Sequence, residues 1–314
     1  MSEIELHRKL LGDAARNAGL HAALARAIKQ IGPNCRVVDV GAGTGFLSFL
    51  ARRLGAKHCT LIEYSDTIQL AQALARKNGI DGLDFIQAHS AEVRGLPKAD
   101  LVISETLGNF ALEENLLESL VDARRFLKPK GLMIPSGLQQ FVAPVGAPRL
   151  QREIDIWNRI GYDLDLGPAR TLSLNNMYVK TIAPDELCGA AQRWDALSFG
   201  LGGEAPDSRR NAKLQWDASA LSTSIVQGFA LWWEVEWCAG EQLSTAPDAP
   251  ATHWEQIYLP LLEPLELQHG DTLELQLKSD TRPSVGVRLT WTVARVRAGK
   301  RGAIQSLDSL RGRL

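Results

Sequence analysis

A doubly wound parallel α/β sheet followed by a second, β-sandwich or barrel-like domain is the architecture this sequence predicts. Three observations predict it. Residues 35–64 read as strand, glycine turn, helix, strand and acid. From residue 35 to 145, apolar runs alternate with amphipathic stretches, which is how a parallel sheet with helical crossovers is written. Past Pro144 the helical periodicity gives way to short apolar runs separated by Gly, Pro, Asp and Ser. That texture belongs to packed antiparallel strands.

The elements follow in order. Residues 4–31 carry Leu10, Leu11, Leu20, Ala23, Leu24 and Ile28 at helical spacing, with Gly19 as the expected break. Residues 37–40 form an apolar strand, and Gly41-Ala42-Gly43-Thr44-Gly45 follows at once. A helix over 46–54 is closed by Gly55, and a second strand over 60–62 ends on Glu63. Helix 65–78, strands 83–88 and 99–104, helix 114–126 and strands 132–134 and 138–143 complete the alternation. A helix over 150–159 and an irregular stretch over 161–177 lead into strands within 224–238, 254–259, 273–277 and 285–296. Residues 299–314 read as a basic, frayed tail. The expected domains are N-terminal helices over 1–34, the parallel-sheet domain over 35–145 and the β domain over 146–314.

Composition narrows the class. The chain has 314 residues, 45% hydrophobic and 23% charged, with a net charge of −1. That balance is ordinary for a globular protein and gives no general attraction for nucleic acid or membrane surfaces. No apolar run is long enough to span a bilayer, and no signal-peptide core stands at the N-terminus. The cysteines, Cys35, Cys59, Cys188 and Cys238, lack metal-ligand spacing, so no metal is expected. They read as buried thiols of a reducing compartment, which places the protein in the cytoplasm.

The glycine turn suits a nucleoside. Glycines let the backbone approach a ligand without a Cβ clash, and the helix start offers unpaired N–H groups. A carboxylate at the end of the second strand, Glu63, can accept both ribose hydroxyl protons. The spacing is GxGxG rather than the GxGxxG of dinucleotide binders, and Asp39 lies inside the preceding strand. This resembles motif I of class I S-adenosylmethionine methyltransferases.

A second constellation follows the fourth strand, in SETLGNFALEENLL at 104–117. Glu105 and Glu114 flank a loop with Gly108 at its turn. Paired carboxylates suit a planar, permanently charged guanidinium, which they bind in bidentate fashion. From the residues alone, a solvated acidic loop at a helix start remains the other reading.

Four separated pieces together resemble the protein arginine N-methyltransferase family. They are VVDVGAGTG with Glu63, the loop with both glutamates, Thr252-His253-Trp254, and the helix HRKLLGDAAR over 7–16. The resemblance implies S-adenosylmethionine as cofactor. Gly41, Gly43 and Gly45 would line it, Glu63 would hold its ribose and Arg16 its carboxylate, with Asp39 and Glu92 also on the cofactor side. It further implies that Glu105 and Glu114 clamp an acceptor arginine, that His253 pairs with Asp13, and that Trp254 packs beside the acceptor. A protein or peptide arginine is the implied substrate, and a helical arm over about 150–177 implies a homodimer.

The departures fall in the acceptor region. The family's aromatic N-terminal YFxxY segment has no counterpart among these residues. Thr106, Leu107 and Asn109 stand where the family often carries Trp, Met and Tyr, and Glu113 stands where an aromatic is usual. A small guanidino or amine metabolite is therefore the alternative acceptor, and a weakly catalytic cofactor-binding scaffold the third reading. The product type is left open by the same changes.

Overall fold

The computed structural model describes residues 3–201 and 206–313; the expected termini Met1 and Leu314 lie outside them. Two helices open the chain, α1 (Glu3–Gly12) and α2 (Ala14–Ile31). The break between them falls at Asp13, not at Gly19. Asp13 is the N-cap of α2, its Oδ1 accepting the Arg16 N–H at 2.9 Å. Gly19 instead lets α2 pack closely, since a Cβ there would stand 3.1 Å from Trp237 Nε1.

The parallel sheet contains β1 (Arg36–Val40), β2 (His58–Glu63), β3 (Leu83–Gln87), β4 (Ala99–Ile103) and β5 (Leu127–Ile134) in the order β3-β2-β1-β4-β5. Helices α3 (Phe46–Arg53), α4 (Thr67–Lys77) and α5 (Leu116–Ala123) make crossovers. The order reverses between β1 and β4. That is the switch point where ligands of such sheets lie, beyond the carboxyl ends of the strands.

β6 (Gly137–Val145) corrects the expected junction. Residues 138–143 were expected within the first domain, yet β6 pairs antiparallel with β10 (Ile225–Cys238), from Gly137 against Glu236 to Val145 against Gly228. The β domain therefore begins at Gly137 rather than at 146. A strand's local sequence shows that it extends but not which strand it pairs with.

Between them lie α6 (Pro148–Ile154), α7 (Gly167–Leu174), β7 (Tyr178–Lys180), β8 (Gln192–Ser198) and β9 (Arg209–Asp217). After β10 come β11 (Glu241–Ser244), β12 (Gln256–Glu266), β13 (Asp271–Asp280), β14 (Arg288–Arg297) and β15 (Lys300–Asp308). One antiparallel sheet runs β7-β12-β10-β6-β8 with β11 beside β10, and the other runs β15-β14-β13-β9. The expected frayed tail is instead β15, paired with β14 from Arg297–Lys300 to Thr290–Asp308. The stretch expected to be irregular contains α7, opened by Gly167 and Pro168.

One apolar core continues from Leu20 and Leu24 of α2, through the parallel sheet, to Trp237, Trp291 and Leu307 of the β domain. Helix α2 is the splint. Besides the Gly19–Trp237 approach, Arg26 pairs with Glu241 at 2.9 Å and the Cys238 thiol lies 3.7 Å from the Ala23 carbonyl. The start of α2 is therefore fixed against both domains, and the candidate site gathers there.

Candidate active site

A cavity of about 680 Å³ opens beyond the carboxyl ends of β1, β2 and β4. Its floor is the glycine turn. Gly41 and Ala42 both donate to the Ile62 carbonyl, at 2.9 and 3.2 Å, which folds the turn against the end of β2. Gly41 and Gly43 hold φ of +72° and +51°, a region that favours glycine. A Cβ at Gly41 would lie 2.9 Å from Thr106, and one at Gly43 would lie 2.6 Å from the His7 ring.

Glu63 closes this side. Its two carboxylate oxygens accept the N–H groups of Gly43 and Ser65 at 3.0 and 2.9 Å, fixing it at the cavity wall. Its remaining lone pairs suit a vicinal diol. Bare glycine backbone beside a fixed carboxylate fits the ribose and methionine parts of S-adenosylmethionine.

Three residues expected on the cofactor side do not line the cavity. Gly45, φ +79°, begins α3, and a Cβ there would strike Phe49 and Leu61. It shapes the turn from behind. Asp39 is buried and accepts from the Ser48 hydroxyl at 2.7 Å, so it ties β1 to α3. Burial pushes its carboxyl up to about 6. Glu92 is exposed at the end of a short 3₁₀ turn, while His89 and Ser90 line the cavity in its place. For Asp39 and Glu92 the motif fixes the backbone, but the side chain turns elsewhere.

The opposite wall is the 104–115 loop. Arg16 donates through Nε to Glu105 Oε2 at 2.8 Å, and its Nη2 donates to the same oxygen. The Arg16 and Glu105 side chains are 7% and 4% exposed, so this pair is desolvated. The guanidinium expected on the cofactor carboxylate is thus held by Glu105, the carboxylate expected at the acceptor. Glu114 stands at the cavity mouth, φ +56°, followed by Asn115, also φ +56°. Consecutive left-handed residues without glycine hold strain that the surrounding packing must maintain. Burial, and then the Glu105 charge, raises the Glu114 carboxyl above its ordinary value.

The β domain holds this loop in place. Trp254 Nε1 donates to the Leu107 carbonyl at 2.7 Å, and Asn109 Nδ2 donates to the Trp254 carbonyl at 2.6 Å. Trp233 Nε1 lies 3.2 Å from both the Gly108 and Asn109 carbonyls. The two indoles meet edge to face, 4.8 Å apart. Trp254 is 2% exposed, so it braces the loop more than it offers a face to an acceptor.

His253 joins the two ends of the chain. Its Nδ1 lies 2.7 Å from Asp13 Oδ2, and its backbone N–H donates to the same oxygen at 2.8 Å. Burial works to raise the Asp13 carboxyl, but the Arg16 N–H and the His253 contacts hold it below its ordinary value.

Of the residues singled out from sequence, the structure brings Gly41, Gly43, Glu63, Glu105, Glu114, His253 and Trp254 to one cavity, with Asp13 and Arg16 directly behind. The sequence marks His7 on the first helix but gives it no role at the site, and Ser104 was missed. His7 and Leu10 both face the cavity, and their i, i+3 spacing on α1 was the available signal. Ser104 Oγ is fully buried at the cavity wall without a hydrogen-bond partner among the described residues.

Fold and cavity define an S-adenosylmethionine-dependent methyltransferase whose acceptor wall is acidic. Residues 31–151 match the family model described as a methyltransferase domain, and residues 139–294 match the arginine methyltransferase oligomerization subdomain. The chain belongs to the protein arginine N-methyltransferase family. It is 29% identical over 279 residues to protein arginine N-methyltransferase 6 of Xenopus laevis, covering 85% of this chain and 81% of that protein. It is 30% identical over 267 residues to the histone-arginine methyltransferase CARMER of Drosophila yakuba, covering 81% of this chain and 50% of that protein. Among solved structures, the Trypanosoma brucei PRMT1 enzyme-prozyme heterotetrameric complex with AdoHcy superposes with a TM-score of 0.83 at 25% identity, over 96% of this chain and 97% of that one. Arabidopsis thaliana protein arginine methyltransferase 10 gives 0.81 at 21% identity over the same shares and speaks to fold alone.

Proposed function

We propose that this protein transfers a methyl group from S-adenosylmethionine to a guanidinium nitrogen of arginine in a protein or peptide. One observation carries the reading: Glu105 and Glu114 share a cavity with the Gly41–Gly43 turn and Glu63. When bound, the cofactor supplies a methyl group on a sulfonium. Glu63 orients the ribose, and the glycine turn keeps the backbone close to the methionine end. Glu105 and Glu114 orient the acceptor and localise its lone pair by asymmetric hydrogen bonding. Most of the acceleration comes from this positioning, and carboxylates in a water-poor site add charge stabilisation. Glu114, with its raised basicity, is suited to receive a proton at the mouth. The Asp13–His253 contact locks the helix start against the β domain.

The test is transfer of labelled methyl from S-adenosylmethionine to an arginine-rich peptide and to free guanidino compounds. Labelled arginine in the peptide with wild type, and its loss in Glu105→Gln, is the expected result. Label on the small compounds alone would favour the metabolite reading, which the replacement of loop aromatics by Thr106, Asn109 and Glu113 motivates.

The protein works as a homodimer in this reading. Ile156, Ile160, Tyr162 and Leu164 are exposed around the 155–166 segment, with Tyr162 88% exposed. Exposed apolar side chains grouped on one segment need a cover, and a second copy supplies it. Sedimentation at micromolar concentration should give a dimer, and Tyr162→Asp with Leu164→Asp should give monomers. The buried free thiols Cys35, Cys59, Cys188 and Cys238 support a reducing, cytoplasmic setting. Among the described residues, no helix is long and apolar enough to cross a membrane.

A further inference from the structure

The acceptor wall contains a third carboxylate. Glu113 lines the same cavity as Glu105 and Glu114. Its side chain packs against Gly108, where an added Cβ would collide with the carboxylate. The one aromatic side chain of the loop is turned away: Phe110 is buried and stacks on Trp194 at 6.4 Å. Thr106 Oγ1 and Ser104 Oγ are buried at this wall without hydrogen-bond partners among the described residues. The wall therefore presents carboxylates rather than aromatic rings.

The charges around Glu113 are unbalanced. On its own loop stand Glu105 and Glu114. From α1 and α2 come His7, Asp13 and Arg16; from the sheet edge, Asp39, Glu63 and His89; from the β domain, His253. Arg16 is committed to Glu105, and among the described residues no cation pairs with Glu113 or Glu114. An acceptor guanidinium at the Glu105–Glu114 clamp leaves Glu113 without a counter-charge.

We propose that Glu113 is a specificity residue that selects acceptor arginines with a second cation, an Arg or Lys adjacent in the peptide, within reach. The proposal rests on the arginine methyltransferase reading and names its substrate class: a basic, dibasic-containing peptide. Burial, and then the Glu114 charge, pushes the Glu113 carboxyl up to about 7, against the Asn109 and Phe110 N–H groups that lower it. The preference should therefore strengthen as pH rises through neutrality and Glu113 ionises. Because His7, His89 and His253 border the same cavity, the Glu113→Gln variant, not the pH profile alone, isolates the effect.

The experiment measures binding of two peptides by full-length protein with S-adenosylhomocysteine, and their methylation with S-adenosylmethionine. One peptide carries a single arginine among glycines, the other an Arg-Lys pair. Wild type should favour the dibasic peptide about tenfold at pH 8 and less at pH 6, the scale of one partly desolvated charge pair. Glu113→Gln should remove most of that preference and its pH dependence while still methylating the single-arginine peptide. A merely structural role for Glu113 would weaken both peptides alike. An unchanged preference in Glu113→Gln, or no preference in wild type, overturns the proposal. If Glu113→Gln abolishes a binding preference for the dibasic peptide but neither peptide is methylated, it is the methyl-transfer reading that fails, and with it the acceptor role of Glu113, while its contact with the second cation holds.

Discussion

The two walls of the cavity are built over very different chain distances. On the cofactor wall, the Gly43 N–H meets Glu63 across 20 residues, and the turn closes on Ile62 of the neighbouring strand. On the acceptor wall, Glu105 takes Arg16 from 89 residues away, and Leu107 takes Trp254 from 147 residues away. His253 meets Asp13 across 240 residues. The hydrogen bonds that shape the first wall lie within one strand–turn–helix–strand unit. The second exists only when the N-terminal helices, the parallel sheet and the β domain are all assembled. Damage to the β domain should therefore disable acceptor chemistry while leaving cofactor binding nearly intact.

Glu105→Gln should show this division most strongly. Removing a carboxylate that is 4% exposed and paired with Arg16 should lower kcat/KM about a thousandfold, roughly 4 kcal/mol. S-Adenosylhomocysteine affinity, measured by calorimetry, should change by less than about fivefold. Residual activity above a tenth of wild type would mean the clamp lies elsewhere.

Asp13→Ala should cost about 4 kcal/mol of unfolding free energy, because it removes a helix cap and both contacts to His253. Asp13→Asn retains the capping oxygen and should lose less than half as much. Equal losses in chemical denaturation would assign the whole effect to the seam rather than the cap.

Asp39 tests the cofactor wall through pH. Its folded value of about 6 stands above the unfolded value near 3.8, so the native state binds the extra proton between them. Its contribution to stability therefore falls as pH rises from about 4 to 6, by at most about 3 kcal/mol. Asp39→Asn should remove that falling stretch and gain on wild type above pH 6. A parallel pair of stability curves would show that Asp39 ionises normally.

The smallest effect is expected from Gly43→Ala. A Cβ against the His7 ring at φ +51° should weaken S-adenosylhomocysteine binding about tenfold, near 1.4 kcal/mol. The same left-handed strain should also lower the melting temperature by a few degrees. If peptide binding suffers as much as cofactor binding, the two walls are not separable.

The same contrast explains what could be read from sequence. The glycine turn and Glu63 are visible because their partners lie within one structural unit. Asp39, Gly45 and Glu92 were expected on the cofactor because a motif shows which residue types occur, not which of them face the cavity. The packing of Phe49 and Leu61 on Gly45, and of Ser48 on Asp39, decides that direction. Asp13, Arg16 and His253 were reachable only through family resemblance, since no local periodicity links the two ends of the chain. The pairing of β6 with β10 was illegible for the same reason, and it moved the domain junction. Trp233 reads as a core strand residue, and nothing local shows its indole reaching the loop carbonyls.

The splint formed by α2 has a consequence for the growing chain on the ribosome. The helix is synthesised first, yet Trp237 and Glu241, against which it rests, emerge more than 200 residues later. At typical elongation rates that interval is on the order of ten seconds or more. Until then α2 lacks the β-domain surface on which it rests, and Asp13 has no His253 to meet. The wall that carries Glu105 and Glu114 cannot be completed until His253 and Trp254 have left the exit tunnel, so full assembly of the cavity waits for the β domain.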